Sequence, residues 1–235
     1  MVGVIILGIE TATMQVGCAL GGVEGVLASF TAARGRRHAE TLVPAVEFVC
    51  AQARVELREV SVVAVDVGPG LFTGLRVGVA TAKALAHALR VPMLGLSSLD
   101  LLAFALHHTE GLIATVVDAR RGEVFAALYR PVPGGVQRVA RPRVCAPAEL
   151  ASELMAMGED CLLVGDGAVR YARAFDDARH LSIADGAFAY PSPAALVQLA
   201  HARALREEFV QPSELEPLYL RKADAEINWE RRQSA

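Results

Sequence analysis

The sequence predicts an α/β protein of two lobes, each a mixed sheet flanked by helices. Three observations point there. Apolar residues make up 53% of the 235 residues and charged residues 21%, a globular balance with enough apolar surface for a sizeable core. Each half of the chain opens with three strand-like runs and then alternates helix with strand, the pattern of a mixed sheet with helices packed on it. The first strand of each half ends in an acid before a turn, Glu10-Thr11 and Asp118-Ala119. The lobes are expected over 1–108 and 109–222, with 223–235 as a flexible tail. The repeat is one of architecture, since no residue-level repeat is visible.

In the first half, Val4–Ile9 is a continuous apolar run and reads as a buried strand. Gln15–Leu20 and Val26–Thr31 follow as strands around the turn signal Gly21-Gly22. After the basic loop Arg34-Gly35-Arg36-Arg37, a helix is expected over His38–Ala53, with Leu42, Val46, Val49 and Ala53 as its apolar stripe. Pro44 should kink it or mark its first turn. Val60–Val65 is β-branched and reads as a buried strand. Gly68-Pro69-Gly70 forces a turn, and Thr73 suits the N-cap of a helix running to Leu89. A strand at Val91–Leu96 and a helix at Ser98–His107 complete the half.

In the second half, strands are expected at Leu112–Val117, Val124–Arg130 and Val136–Val144. A helix at Pro147–Met155, a strand at Leu162–Val164 and a long helix at Pro193–Glu208 follow.

Composition narrows the function classes. With 23 basic and 26 acidic residues the net charge is −3, which argues against holding nucleic acid by bulk charge alone. The four Cys, at 18, 50, 145 and 161, form no Cys-x-x-Cys pair, and no two of the six His are spaced for a helical metal site. Reduced thiols in a cytoplasmic protein are expected, with no metal and no membrane span.

The turns after Glu10 and Asp118 would meet across a cleft between the lobes. Acids there suit Mg²⁺, which takes one or two carboxylates plus phosphate oxygens. Glu10, Thr11, Asp118 and Gly165 are therefore the candidates for a weak ATP or ADP site. The alternative is two solvated acids at strand ends, and the bulky Arg120-Arg121 pair is unlike a phosphate turn.

Gly74 and Gly78 sit inside a helix, where each is about 1 kcal/mol less favourable than Ala. Close approach of another helix along Gly74, Gly78, Thr81 and Leu85, with Leu42 and Val46 alongside, would offset this. The alternative is packing within the chain. On the open-face reading, Gly78→Arg would abolish pairing and spare the fold. Arg120–Arg143 carries six Arg against one acid; such a run suits tRNA, an acidic partner or only water, and Arg138, Arg141 and Arg143 are the candidates on the tRNA reading. No nucleophile–base motif is present, so no catalytic residue is assigned.

Several stretches, in order along the chain, carry a family resemblance. They are Ile6-Leu7-Gly8-Ile9-Glu10-Thr11, Gly68-Pro69-Gly70-Leu71-Phe72-Thr73-Gly74-Leu75-Arg76-Val77-Gly78 and Val91-Pro92 with Ser97-Ser98-Leu99. Asp118-Ala119-Arg120-Arg121-Gly122-Glu123-Val124-Phe125 and Pro217-Leu218-Tyr219-Leu220-Arg221 continue the series. Together they resemble the TsaB (YeaZ) family of bacterial proteins in tRNA threonylcarbamoyladenosine synthesis.

The resemblance implies an actin-like, sugar-kinase-like fold. It also implies a non-catalytic role beside TsaD, the paralogue that moves threonylcarbamoyl from its adenylate to the adenosine next to the anticodon. TsaE in a larger complex, tRNA reached through the complex, and a homodimer when alone complete the implied partners. No cofactor is required. Two positions depart from the family pattern: Glu10 stands where many relatives carry Asp, and Leu71 where a small residue is usual. The runner-up reading is an ATP-dependent small-molecule kinase of the same superfamily. A metalloprotease lacks the metal spacing it would need.

Overall fold

Strand β1 (Ile6–Glu10) lies at the centre of a five-stranded sheet because it is apolar on both faces and buried on both. In the computed structural model, which describes residues 3–33 and 37–221, the sheet order is β3-β2-β1-β4-β5. Here β2 is Val16–Gly22, β3 Gly25–Ala32, β4 Val62–Gly68 and β5 Met93–Ser97. The β1–β2 and β2–β3 pairs are antiparallel, and β1–β4 and β4–β5 are parallel.

The second sheet repeats this plan. Its order is β10-β9-β6-β7-β8, with β6 at Leu112–Arg120, β7 at Glu123–Val132 and β8 at Gly135–Cys145. Strands β9 (Cys161–Val164) and β10 (Leu181–Ile183) join in parallel beside β6.

Helices α1 (His38–Ala53) and α2 (Phe72–Leu89) cover one face of the first sheet, with Leu42, Val46, Val49, Val79 and Ala82 in the core between them. Helix α1 runs through Pro44 without a break. The N-cap of α2 is Leu71, with no side-chain bond, and not Thr73, which lies within the first turn. Helix α3 (Ser98–Ala105) lies between the sheets: Leu101 joins the first sheet's core and Leu99, Leu102 and Leu106 the second's. Helix α4 (Pro147–Met157) and the short α5 (Asp166–Arg170) close the outer face of the second sheet.

Two expectations change. The last helix, α6, spans Pro193–Ala204 and is shorter than its apolar pattern implied. It also leaves the second lobe. Leu196, Val197 and Ala200 pack on Ile6, Ala19, Val62 and Leu94 of the first sheet, and a Cβ on Gly8 would strike Leu196. Beyond α6 the chain first stays on the first lobe, and only Leu220 and Arg221 turn to the second, where Leu220 packs on its core and Arg221 pairs with Glu123 at 2.9 Å. Val210 pairs with Met93, Leu215 enters the first core, and the Leu218 amide donates to the Val67 carbonyl at 2.7 Å. The second lobe is therefore not the continuous stretch 109–222: its sheet ends at Ile183, and α6, Val210, Leu215 and Leu218 belong to the first lobe. The expected tail 223–235 and residues 34–36 of the basic loop lie outside the described residues.

Candidate functional site between the lobes

The turn after β1 is tied down by its own chain. Glu10 is completely buried, and its carboxylate accepts from the Ala12 amide at 2.8 Å, from the Thr13 amide and from Gln15 Nε2 at 3.4 Å. These are the amides that a phosphate turn would offer to its ligand. Thr11 Oγ1 donates to the Gly74 carbonyl at 2.8 Å, and the Leu71 amide donates to the Ala12 carbonyl at 2.6 Å. His38 Nε2 lies 3.0 Å from the Thr13 carbonyl and 3.2 Å from that of Gln15, so this nitrogen carries the proton.

Gly74 and Gly78 face this turn. A Cβ on Gly74 would clash with the Thr11 carbonyl, and one on Gly78 with Thr11 Oγ1. At Gly74 and Gly78 the small-residue face of α2 is thus filled by the chain's own first turn and is not free there for another helix.

Beside Glu10 lies an acid that sequence reasoning missed. Asp66 is on β4, parallel to β1, and is fully buried. Its Oδ1 accepts from the Gly68 amide and from Ser98 Oγ, both at 2.7 Å, while Oδ2 is buried without a hydrogen-bond partner. Burial pushes the Asp66 carboxyl up to about 7. Burial first, and the neighbouring Asp66 second, hold the Glu10 carboxyl well above the usual range. The available signal was the same as for Glu10 and Asp118, an acid closing an apolar strand. All three share one bond, in which the amide two residues on donates to the side-chain oxygen.

The second turn is equally occupied. Asp118 Oδ1 accepts from the Arg120 amide at 2.9 Å and from the Tyr171 hydroxyl at 3.2 Å. Its Oδ2 pairs with Arg120 at 3.1 Å and Arg170 at 3.6 Å. Asp166 Oδ1 accepts from the Asp118 amide at 2.9 Å, and burial raises its carboxyl above the usual value. Gly165 holds the left-handed φ of 117° at the N-terminus of α5, where a Cβ would strike the Val116 carbonyl.

A cavity of about 220 Å³ is lined by Asp118, Arg120, Asp166, Arg170 and Tyr190 with Met14 of the first turn, so the two turns do meet. Of the four expected nucleotide residues only Asp118 lines it; Glu10, Thr11 and Gly165 are buried and outside its lining. Its guanidiniums face its carboxylates, which leaves no concentrated positive charge for a polyphosphate. Among the described residues no group of three or more His, Cys, Asp and Glu is placed to hold a metal ion.

The proposed partner surface is also redrawn. Leu42 and Val46 are core residues, and Thr81 and Leu85 are half-buried, Leu85 against the first core. The periodicity identified the inward stripe of α1, whereas the outward stripe carries Val43, 54% exposed, and Phe48, 50% exposed. On α2, Phe72 is exposed beside Tyr219, with ring centroids 5.3 Å apart and the Arg76 guanidinium 4.5 Å above its ring.

Two of the three arginines expected at tRNA are engaged by acids of the chain itself. Arg138 pairs with Asp100, Arg143 pairs with Glu153, and Arg141 is exposed. Nearby Arg130 pairs with Glu159 at 2.6 Å. Local acids thus offset part of the run's positive charge.

Comparison with known proteins agrees with this architecture. A family model described as TsaD, tRNA N6-adenosine threonylcarbamoyltransferase, matches residues 24–229. The chain is 30% identical over 226 residues to the tRNA threonylcarbamoyladenosine biosynthesis protein TsaB of Bacillus subtilis, covering 95% of this chain and 97% of that one. It is 28% identical to TsaB of Escherichia coli, over 92% of this chain and 94% of the relative. The solved structure of YeaZ from Pseudomonas aeruginosa superposes with a TM-score of 0.82 at 28% identity, covering 92% of this chain and all of that one. At 11% identity and a TM-score of 0.51, the (R)-2-hydroxyglutaryl-CoA dehydratase component A of Acidaminococcus fermentans shares only the two-lobed, actin-like fold, over 86% of this chain and 99% of its own. On the strength of the family model and these relatives, the chain belongs to the TsaB (YeaZ) family.

Proposed function

We propose that this chain serves tRNA threonylcarbamoyladenosine synthesis in the cytoplasm as a non-catalytic subunit. In this reading it pairs with TsaD, which carries out the transfer of threonylcarbamoyl from its adenylate to the adenosine next to the anticodon. TsaE joins the larger complex, and tRNA is reached through that complex. The carrying observation is the occupied state of both turns. The Glu10 carboxylate fills the amides of the first, and Asp118 pairs with the arginines of the second. Transfer chemistry needs preorganised charge that is free to meet the reacting group, and here that charge is already engaged.

The outward faces of α1 and α2 supply the pairing surface, with Val43 and Phe48 as its apolar anchors. Alone, the chain uses the same surface for a two-fold homodimer, the commonest closed assembly. The test is reconstitution of tRNA modification with TsaD and TsaE, with and without this chain, alongside Phe48→Glu. Phe48→Glu is expected to stay folded, because Phe48 is half exposed, and to lose both TsaD capture and modification. Undiminished capture and modification would remove the helix face from the proposal. Modification at full rate without the chain would remove the subunit role itself.

A further inference from the structure

A further cavity includes no residue of either acid turn in its lining. Strand β7 leaves the Arg120–Gly122 turn at one end and reaches the hairpin turn Val132–Gly135 at the other. Beneath that hairpin, against α6, is a recess of about 430 Å³, within the range of small-molecule sites. Its polar wall is built from both lobes. Arg138 and Tyr129 come from the second sheet, Asp100 from α3, and Arg203 and Arg206 from α6 and the residues just beyond it. Leu199 and the hairpin itself supply the apolar wall.

The polar groups are held in place before any ligand arrives. Asp100 accepts from the Tyr129 hydroxyl at 2.8 Å, pairs with Arg138, and lies 3.6 Å from Arg203. Arg203 also donates to the Gly95 carbonyl at 3.3 Å. Arg206 meets Glu208 at 2.5 Å, and Arg203 lies 3.8 Å from the same acid. Three guanidiniums thus face two carboxylates, a net charge of 3 − 2 = +1. Each guanidinium has five N–H donors, and these contacts engage only part of them. The planar fork of Arg matches phosphate and carboxylate oxygens. A second recess, lined by His107, His108 and Pro131–Gly134, undercuts the other side of the same hairpin.

We propose that the recess between the β7–β8 hairpin and α6 binds a small molecule bearing a phosphate or a pair of carboxylates. Arg206 and Arg203 grip it from the first lobe and Arg138 from the second. Its occupant stabilises the arrangement of the lobes, because it contacts both at once.

The test uses the full chain, titrated separately with inorganic phosphate and with citrate, with sodium chloride at matched ionic strength as the blank. Calorimetry and thermal unfolding supply the readouts. Saturable binding and a rise in Tm are expected with at least one of the two, and the arm that binds identifies the oxyanion. Arg206→Gln should weaken that binding by about tenfold or more, since it removes a charge-assisted hydrogen bond. Arg206 is exposed and touches only Glu208 among its ion pairs, so the variant should fold; Arg206→Lys, with the charge kept and the fork lost, should fall between. Arg141→Gln, on the same strand as Arg138 and outside the recess, should bind as the unmodified chain does. The proposal is overturned by an absence of saturable binding to either probe. Equal affinity in Arg206→Gln, or an equal loss in Arg141→Gln, overturns it as well.

Discussion

Asp66 and Glu10 place two carboxyl groups at the buried ends of adjacent parallel strands, and one Asp66 oxygen has no hydrogen-bond partner. Desolvation there favours the protonated form. The Asp66 carboxyl, ordinarily near 3.8, is raised to about 7 in the fold, so its contribution to stability is complete below about pH 4 and is lost as pH rises through 7. Glu10, also raised, acts in the same direction. Asp66→Asn keeps an acceptor for Gly68 and Ser98 and removes the titration. We expect it to stabilise the chain by on the order of 2 kcal/mol at pH 8 and to be nearly neutral at pH 4. Urea unfolding of both proteins across that range decides the matter; parallel pH profiles would show that Asp66 is ionised in the fold. Gly78 provides the second residue-scale expectation. Ala at this site gains helix propensity but meets Thr11 Oγ1, which is itself committed to the Gly74 carbonyl. The clash should win, for a net loss of about 1–3 kcal/mol. Gly78→Arg, harmless on an open face, should fail to fold. Thermal unfolding of Gly78→Ala at or above the unmodified Tm would refute the tight approach.

At the scale of elements, the sequence is legible wherever periodicity and length agree. Helix α1 falls on its expected range, and the strands fall within a few residues of theirs. The short α5 and β10 escaped because five and three residues are too few to show a period. Periodicity also cannot tell which neighbour a stripe meets. Leu42 and Val46 were visible as a stripe, and Gly74 and Gly78 as a smooth face, but both turn inward. Positions 43 and 48, which carry the outward apolar surface, fall outside the regular stripe and so gave no signal. The same limit applies to the site. Glu10 and Asp118 were legible as strand-closing acids, but their bonds to their own turns depend on side-chain geometry that spacing does not encode. Among these elements the α3–β8 contact is informative, because Asp100 and Arg138 tie the two lobes together. Asp100→Ala would strand two arginines and the Tyr129 hydroxyl in a half-buried site. A loss of about 2–4 kcal/mol follows, since removing one partner of a buried network leaves the others unsatisfied. Denaturant titration checks this, and a loss below about 0.5 kcal/mol would place the cluster with ordinary surface pairs.

For the whole molecule, the decisive feature is that the chain returns to where it began. Read in order, the sequence suggests two halves that could fold in succession. In the structure the inner face of the first sheet is covered by α6, contributed from the far end of the chain. Ile6, Ala19, Val62 and Leu94 reach their buried state only when Leu196, Val197 and Ala200 arrive. Leu215 and the Val210–Met93 bridge then close the opposite face and the edge. The first lobe is thus assembled from residues more than a hundred positions apart, and its core is incomplete without the C-terminal segment. A fragment of residues 1–189 retains every strand of both sheets but lacks this cover. Exposing a continuous apolar sheet face forfeits the main stabilising contribution to the fold, so the fragment should be expanded, bind a hydrophobic dye and lack a cooperative unfolding transition. Adding a separate peptide of residues 190–221 should restore part of the native signal, because the missing contacts lie in that segment. Cooperative unfolding of 1–189 alone, near the Tm of the full chain, would show that the first lobe needs no returning helix and that the expected boundary at 108 divides two self-sufficient units.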